Sequence, residues 1–471
     1  MYTCGLTVND LMHLGHARAY VMWDVLKRYL EYLGYEVLHV SNITDISVDD
    51  KILQRVRESG ESFQQHINRY TQSYMEDRQK LGIAPAHIYP LATQHIQEMI
   101  ELIEKLIEKG FAYQTEDGVY FRISKFHNYG KLSGVAKDEL EAGSSGRVNA
   151  DEYQKEEVGD FTLWKRIRPD EPYWHSPWGP GRPGWHVECS AMAMKYLGES
   201  FDIHCGGEEH KFPHHENEIA QSEAATGRPL ARYWLHVRHL LLDGRKMSKS
   251  TREFISVRDA VDQYGALPVR IFLLSTHYRK TTSLDKHALH TASEHADRLG
   301  ALWAAILHFS AQGEAIQHDA EEKLLLELPH ARATFEGAMS KDLNTPLALS
   351  AILKLAGEAS AYLKAHRSIS RNAASAICEF LKSAGSVLFG DLMEFELQEM
   401  EDGVFRGLVR VVLQQREELR THGEYDEADR IRERLEQLGI VLEDLSNSTI
   451  WRRTHRGRGK PSSLMPGWPN G

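Results

Sequence analysis

Two histidines flank a glycine near the start of the chain, in His13-Leu14-Gly15-His16. The segment lies between a predicted strand and a predicted helix, where imidazoles and the N–H groups of a helix start can contact phosphate oxygens. Gly15 would let a nucleotide approach the backbone closely. A four-residue pattern is weak by itself, because two surface or core histidines beside a glycine would give the same sequence.

A second basic segment, Lys246-Met247-Ser248-Lys249-Ser250, is predicted to be a loop. Its two ammonium groups can neutralise the charge that builds on a triphosphate as pyrophosphate leaves. Taken alone, a loop of lysine and serine is usually solvated surface. Together with the first motif it is much more specific, because one motif lies near each end of a single α/β region.

A metal-ligand spacing appears between Pro213 and Glu218, where His214 and Glu218 are four residues apart and share one face of a helix. Cys4 follows the first predicted strand, and Cys189 lies where another loop of the same sheet would converge. Two thiolates, one imidazole and one carboxylate would make a four-ligand zinc site. The alternative is that the histidines cap or pack the helix and that both cysteines are ordinary buried thiols.

The elements that position these residues follow from hydrophobic periodicity. A short strand near residues 1–8, a helix over 17–33 and an apolar strand over 35–43 predict a parallel α/β nucleotide-binding half. A hairpin over 113–123, followed by the polar stretch 124–157, predicts an insertion within that domain.

Strand-like and loop segments are predicted to resume near residues 185–189, and another helix is predicted to begin at Pro213. Residues 287–390 have a helical pattern throughout, which predicts an antiparallel bundle. Two further helices over 404–420 and 425–437, with a short strand after them, predict a small mixed domain at the end of the chain.

Composition limits the class of protein. The chain has 471 residues, 42% hydrophobic and 26% charged, so it is globular and long enough for several domains. A formal net charge of −11 argues against nucleic-acid binding by bulk electrostatics but leaves a local basic surface open. Four scattered cysteines exclude a disulfide framework, and the sequence has neither a signal-peptide pattern nor a long apolar span. We therefore expect a soluble cytoplasmic protein that makes no membrane contact.

The two basic motifs together are typical of class I aminoacyl-tRNA synthetases. Within that class the chain resembles the cysteinyl-tRNA synthetases, which carry similar zinc and nucleotide segments. The resemblance covers nearly the whole length, and the segments that carry it are 1–18, 160–165, 181–225, 246–250, 342–346, 428–432 and 439–444.

The resemblance implies a cysteine–tRNA ligase that activates L-cysteine with ATP to cysteinyl-adenylate and transfers it to tRNA(Cys). It implies one Zn²⁺ per chain, which binds the substrate thiolate and selects against serine, whose hydroxyl is harder and far less acidic. Mg²⁺ would accompany ATP, and a monomer is the family default. The implied zinc ligands are Cys4, Cys189, His214 and Glu218.

The resemblance also implies a role for each residue of the two basic motifs and of the cysteine pocket. ATP would be bound by His13, Gly15, His16, Lys246 and Lys249, of which the histidines and lysines would be catalytic. The cysteine pocket would be lined by Thr7, Trp185 and His204.

The predicted architecture is an α/β Rossmann-type catalytic domain with an inserted subdomain, followed by an all-α helical bundle and a small mixed α/β C-terminal domain. The predicted bounds are 1–110 and 185–260 for the catalytic domain, 111–184 for the inserted connective, acceptor-binding subdomain, 261–300 for a stem-contact linker, 301–390 for the tRNA-binding bundle, 391–452 for the anticodon-binding domain and 453–471 for a basic flexible tail.

Some positions depart from the family pattern. Leu6, Asn9, Cys205 and Glu209 replace a usual proline, tyrosine, glycine and aspartate, and Ile46-Ser47 resembles an insertion. Two other functions fit part of the pattern. A ligase that joins activated cysteine to an amino sugar would share the zinc site but not the C-terminal region. A non-catalytic paralogue that binds RNA or senses cysteine would not need intact motifs.

Overall fold

The structure is a computed structural model, and it describes residues 1–46, 51–135, 159–167, 171–242, 245–246, 254–312, 321–392, 403–444 and 449–453. The chain divides into two compact units. The first comprises residues 1–12, 36–76 and 85–239, and the second comprises 13–35, 77–84 and 240–471. None of the described helices combines the length and the apolar character that crossing a membrane requires.

The strands are numbered in chain order. They are β1 Tyr2–Thr3, β2 Val40–Ser41, β3 Ala112–Gln114, β4 Gly118–Phe121, β5 Phe161–Arg166, β6 Gly181–Pro183, β7 Phe201–Gly207, β8 Ala231–Val237, β9 Leu240–Leu242, β10 Arg245–Lys246, β11 Thr282–Leu284, β12 Ile440–Asp444 and β13 Thr449–Arg453.

A three-residue helical turn at Glu208–His210 is left unnumbered, and the longer α-helices are numbered in the same way. They are α1 Leu14–Tyr32, α2 Lys51–Ser59, α3 Phe63–Lys80, α4 Ile96–Glu108, α5 Trp185–Leu197, α6 Glu216–Thr226, α7 Val257–Tyr264, α8 Ala266–Leu274, α9 Lys286–Gln312, α10 Glu321–Ser340, α11 Thr345–His366, α12 Arg371–Phe389, α13 Gly403–Thr421 and α14 Tyr425–Gln437.

A four-stranded parallel sheet forms the centre of the first unit, in the order β2-β1-β7-β8. Tyr2 lies between Val40 and His204 in the register of the sheet. All four residues of β1 and β2 are buried, as expected of parallel strands that are covered on both faces. The predicted Rossmann-type α/β class is confirmed.

The inserted subdomain is an antiparallel sheet in the order β3-β4-β5-β6. Asp160 joins two of its segments by accepting hydrogen bonds from Ile123 N at 2.9 Å and from the Tyr113 hydroxyl at 2.8 Å. Phe121 and Trp164 are buried in the same hydrophobic core as α4, α5 and α6. The predicted hairpin and insertion therefore belong to one packed unit with the parallel sheet.

Two predictions about local structure were wrong. Residues 185–189 are not strand-like but form the start of α5, because a short run of buried residues cannot be separated from a buried helix by periodicity. The regular helix expected at Pro213 begins instead at Glu216. A π-helical segment at Lys211–His215 precedes it, with Phe212 in an extended conformation.

The second unit begins with α1 and continues through a small sheet, the antiparallel helical bundle and a terminal hairpin. The small sheet has the order β10-β9-β11, and β12 pairs with β13 in an antiparallel hairpin. The predicted bundle is formed by α9 to α12, and the predicted small mixed domain contains α13, α14 and the hairpin. The predicted domain bounds stay predictions. The Ile46-Ser47 insertion beyond Ile46 and the basic tail from residue 454 lie outside the described residues.

A buried carboxylate joins four parts of the second unit. Asp24 on α1 accepts hydrogen bonds from Arg28 at 2.9 Å, from Ala84 N at 2.9 Å and from the Arg270 guanidinium. Arg270 also donates to Leu81 O at 2.9 Å and Leu388 O at 2.6 Å. Burial alone would raise the pKa of Asp24, but Arg270 and Arg28 outweigh it and lower the pKa.

Replacing this carboxylate should destabilise the second unit strongly. We expect Asp24→Ala to lower the free energy of unfolding by about 3–5 kcal/mol, because the Arg270 charge would stay buried without its counter-charge. Since the folded-state pKa of Asp24 is lowered, its contribution is present above about pH 4 and lost as the pH falls. Urea denaturation at several pH values measures both effects. Asp262→Ala is the matched control, because Asp262 is 70% exposed in its pair with Lys80, and it should change stability little.

Candidate metal centre and nucleotide-binding segments

Four predicted ligands lie together in the first unit. One donor atom from each of Cys4, Cys189, His214 and Glu218 lies within 4.8 Å of the others, and all four residues are buried. Cys4 follows β1, where its backbone N–H donates to Cys205 O of β7 at 3.1 Å. Residues up to 214 positions apart in the sequence therefore meet beside two adjacent parallel strands.

The contacts within the cluster centre on Glu218, which lies four residues after His214. His214 Nε2 lies 3.1 Å from Glu218 Oε1, and Cys4 Sγ lies 3.8 Å from the same oxygen. The other carboxylate oxygen, Oε2, lies 2.9 Å from His204 Nε2. Both oxygens of this fully buried carboxylate therefore have partners.

The electrostatics of the cluster favour anionic donors. Burial would raise the pKa of Glu218, but His204 and His214 outweigh it and lower the pKa to about 2. Hydrogen bonding from Cys4 lowers the pKa of the Cys189 thiol to about 6, whereas burial raises the pKa of Cys4. The shifts therefore favour the ionised forms of Glu218 and Cys189, and Glu218 outweighs burial to raise the pKa of His214 to about 9.

A second group of four possible donors shares two residues with the first. Cys4 and Glu218 are joined in it by His204 and His215. His215 Nε2 lies 3.2 Å from Cys4 Sγ, and its Nδ1 lies 2.9 Å from His236 Nε2. Burial, with several neighbouring histidines, lowers the pKa of His215 well below its ordinary value, so this ring is neutral.

The first group is the better match for zinc. Two thiolates, one imidazole and one carboxylate supply four ligands of the types that Zn²⁺ prefers in tetrahedral sites. The second group has one thiolate among its four donors, so its ligands are chemically harder and suit Zn²⁺ less well. The chemistry of the donors thus fits a resident Zn²⁺ at Cys4, Cys189, His214 and Glu218.

The residues predicted to line the cysteine pocket differ in how close they lie to this cluster. The Trp185 ring has its centroid 4.2 Å from that of His214, and His204 contacts Glu218 directly. Thr7 lies three positions after Cys4 and forms a parallel backbone bridge with Thr44. The pocket roles themselves stay predictions.

The first basic motif lies in the second unit, at the start of α1. His13 caps this helix: its Nδ1 accepts from His16 N at 3.2 Å, and the two rings stack with centroids 3.5 Å apart. A Cβ placed on Gly15 would lie 2.9 Å from two atoms of the His13 ring. Glycine at this position therefore leaves room for the stacked arrangement.

The second basic motif is flanked by backbone pairing. On one side Lys246 belongs to β10, which pairs with β9. On the other side Leu14 N donates to Ile255 O at 3.1 Å, and Ser256 forms a bridge with His13. Lys249 lies outside the described residues. The start of α1 is thus tied directly to the chain that follows the second motif.

Sequence reasoning missed several residues around these sites. His215 and His236 were not assigned roles, although the adjacent pair His214-His215 signals that the segment is rich in possible ligands. The bridge to Ser256 carries no local signal, because backbone pairing does not depend on side-chain type. Tyr2, which precedes Cys4 by two residues, also lies beside the donor cluster.

Comparison with known proteins assigns the class first. A family model described as the catalytic domain of class I (C) tRNA synthetases matches residues 1–294. A DALR-domain model matches residues 334–389, and a model of the cysteinyl-tRNA ligase anticodon binding domain matches residues 408–452. The methionyl-tRNA synthetase of Mycobacterium tuberculosis in complex with methionyl-adenylate has the same fold. Its TM-score is 0.61 at 18% identity, over 83% of this chain and 90% of that one.

Two relatives define the family within this class. The cysteine–tRNA ligase of Thermococcus onnurineus strain NA1 is 44% identical over 459 residues, which cover 96% of this chain and 94% of the relative. That of Symbiobacterium thermophilum is 45% identical over 459 residues, with the same coverage. The chain belongs to the cysteine–tRNA ligase family.

The donor cluster predicts one tightly bound metal ion per chain. We expect Cys189→Ala to weaken zinc binding by at least about a hundredfold, since even residues that only orient ligands usually cost tenfold to a hundredfold. His215→Ala should weaken zinc binding less, because His215 is not one of the four residues of the first donor group. Zinc content after dialysis and competition with a chelator measure the affinity. Cys378→Ala, at a buried cysteine on α12, should bind zinc as the wild type does.

Proposed function

We propose that this enzyme activates L-cysteine with ATP and transfers it to tRNA(Cys), selecting the substrate by its sulfur. The observation that carries the proposal is the buried cluster of Cys4, Cys189, His214 and Glu218 in a chain of this family. The proposed resident ion is one Zn²⁺, and Mg²⁺ would accompany ATP. We propose that it acts in the cytoplasm as a monomer.

A zinc ion in this cluster would offer the substrate a site that lowers the pKa of a thiol and favours a thiolate over a hydroxyl. The protein side chains hold the arrangement. His204 donates from Nε2 to Glu218 Oε2, which fixes the carboxylate, and Trp185 packs against the His214 ring. These contacts limit the rotamers of two ligands and so support a preformed site.

Shape alone would not separate cysteine from serine, because the two side chains differ by one atom of similar size. A pocket that depends on shape rejects such an isostere weakly. A soft donor site distinguishes sulfur from oxygen by chemistry instead. This supports the assignment of discrimination to the metal cluster rather than to the walls of the pocket.

For the nucleotide we propose His13, Gly15, His16, Lys246 and Lys249 as the binding residues. The cysteine carboxylate would attack the α-phosphorus and pyrophosphate would leave, a step that depends on positioning and charge stabilisation. The capped start of α1 presents imidazoles and a positive helix end, which favour phosphate oxygens.

For tRNA we propose the bundle and the terminal domain as the main contact surface. Cationic side chains line a groove in the second unit, together with Glu443 and Asp444. They are Arg298, Lys364, Arg367, Arg432 and Arg452. A local basic groove of this kind can bind phosphates although the whole chain carries a net charge of −11. The terminal domain also favours tRNA over an amino sugar as the acceptor.

Pyrophosphate exchange tests the cysteine-activating site directly. With zinc-loaded protein we expect ATP–pyrophosphate exchange that depends on cysteine and is at least about a hundredfold faster than with serine, because the site selects sulfur chemically. Cys189→Ala should lose this exchange, and Cys378→Ala should keep it. Charging of tRNA(Cys) in the same preparation identifies the acceptor. A folded, zinc-containing chain without exchange would favour the non-catalytic paralogue.

The role of the first basic motif can be separated from its effect on folding. We expect Gly15→Ala to lower kcat/KM for ATP by about tenfold to a hundredfold, because the new Cβ displaces the His13 ring. Thermal stability should change little, because the gain of about 0.5–1 kcal/mol from replacing glycine in a helix offsets a similar loss from the displaced His13 cap. The matched control is Gly300→Ala within α9, where no atom lies within 4 Å of the added Cβ. Equal kinetics in both variants would remove the motif from nucleotide binding.

A further inference from the structure

The pairing of β1 with β7 in the parallel sheet places Tyr2 beside the donor cluster. Tyr2 is opposite His204 in this pairing, and the two rings contact edge to face with centroids 5.1 Å apart. Residues two apart in an extended chain point to the same face, so the Tyr2 phenol and the Cys4 thiol share one side of the sheet. This places a hydroxyl group at the sulfur-rich end of the cluster.

The Tyr2 hydroxyl is enclosed but has no hydrogen-bond partner within the described part of the chain. The residue is 0% exposed. Cys189 and Cys4 lie near this hydroxyl, and an ordinary tyrosine, with a pKa of about 10, keeps its proton at neutral pH. An unpaired buried hydroxyl is costly, and such groups usually have a partner in the functional form of a protein.

The two sulfurs of the cluster differ in what surrounds them. Cys4 Sγ already has the ring nitrogen of His215 at 3.2 Å. Cys189 is hydrogen-bonded by Cys4 and His214, which are themselves proposed zinc ligands, and its Sγ lies 3.8 Å from Asn42 Oδ1, an oxygen that can only accept a hydrogen bond. Once Cys189 is a thiolate, it too can only accept. A nearby hydrogen-bond donor would then stabilise the sulfur, and the Tyr2 hydroxyl can act as that donor.

We propose that the Tyr2 hydroxyl donates a hydrogen bond to the Cys189 thiolate when zinc is bound, and so acts as a positioning residue for that ligand. This inference rests on the proposed zinc site. The set of two thiolates and one carboxylate carries more negative charge than Zn²⁺ neutralises. A donor to one sulfur spreads that charge and fixes the side chain, as the partners of metal ligands commonly do.

Tyr2→Phe tests the inference because it removes one oxygen and keeps the ring that packs on His204. We expect zinc affinity, measured by chelator competition, to fall about tenfold to a hundredfold. In the cobalt-substituted protein we expect the sulfur-to-metal charge-transfer band to shift, because a hydrogen bond to a sulfur changes its electron density. A structural effect alone would leave that band in place.

Two further variants complete the experiment. Tyr120→Phe removes another buried phenol oxygen, one that donates to Asp117 at 2.8 Å, and should leave both metal readouts unchanged. In a Cys189→Ala background, adding Tyr2→Phe should change zinc affinity less than about twofold, because the acceptor is already gone.

The outcomes separate the inference from the proposed function. A wild-type chain that binds no zinc would overturn the proposed zinc site and the inference with it. Zinc bound by the wild type with equal affinity and an unchanged cobalt band in Tyr2→Phe would overturn the inference alone. A full loss that persists in the Cys189→Ala background would also overturn it, since the hydroxyl would then act on another group.

Discussion

The burial of Glu218 is the constraint on which the first unit depends. An ionised carboxylate with no exposure to water costs several kcal/mol unless both oxygens are paired. His214 pairs with one oxygen and His204 with the other. His204 is held by β7 and His214 by the turn before α6, so the carboxylate joins the sheet to the helix. The sulfur donors then lie around a fixed oxygen.

The second unit also contains a buried carboxylate whose charge is paired. Asp24 is buried and pairs with Arg270 and Arg28, which connects α1 to α8 and α12. The start of the same helix carries His13 and contacts the backbone at Ile255. The ion pair near the middle of α1 and the His13 motif at its start therefore share one helix.

Fold and activity rest on different observations in this protein. Likeness to a methionyl-tRNA synthetase at 18% identity gives the fold alone, since one fold serves several amino acids within the class. Relatives at 44–45% identity over 96% of the chain give the family. We propose that the donor cluster links that family to cysteine by chemistry, because a borderline-soft ion held by sulfur ligands would suit a thiol substrate.

The sequence by itself determined the fold class and the family, because motif spacing and helical periodicity are local properties that survive in the linear chain. It also named four possible ligands: His214 and Glu218 from their helical spacing, and the two cysteines from predicted loops that converge on one sheet, with added weight from the resemblance. Only the tertiary structure decided that residues 185–189 are helical and that His215 contacts Cys4. The position of Tyr2 opposite His204 likewise depends on the register of β1 against β7. Register and long-range packing arise from the whole core, so no short segment encodes them.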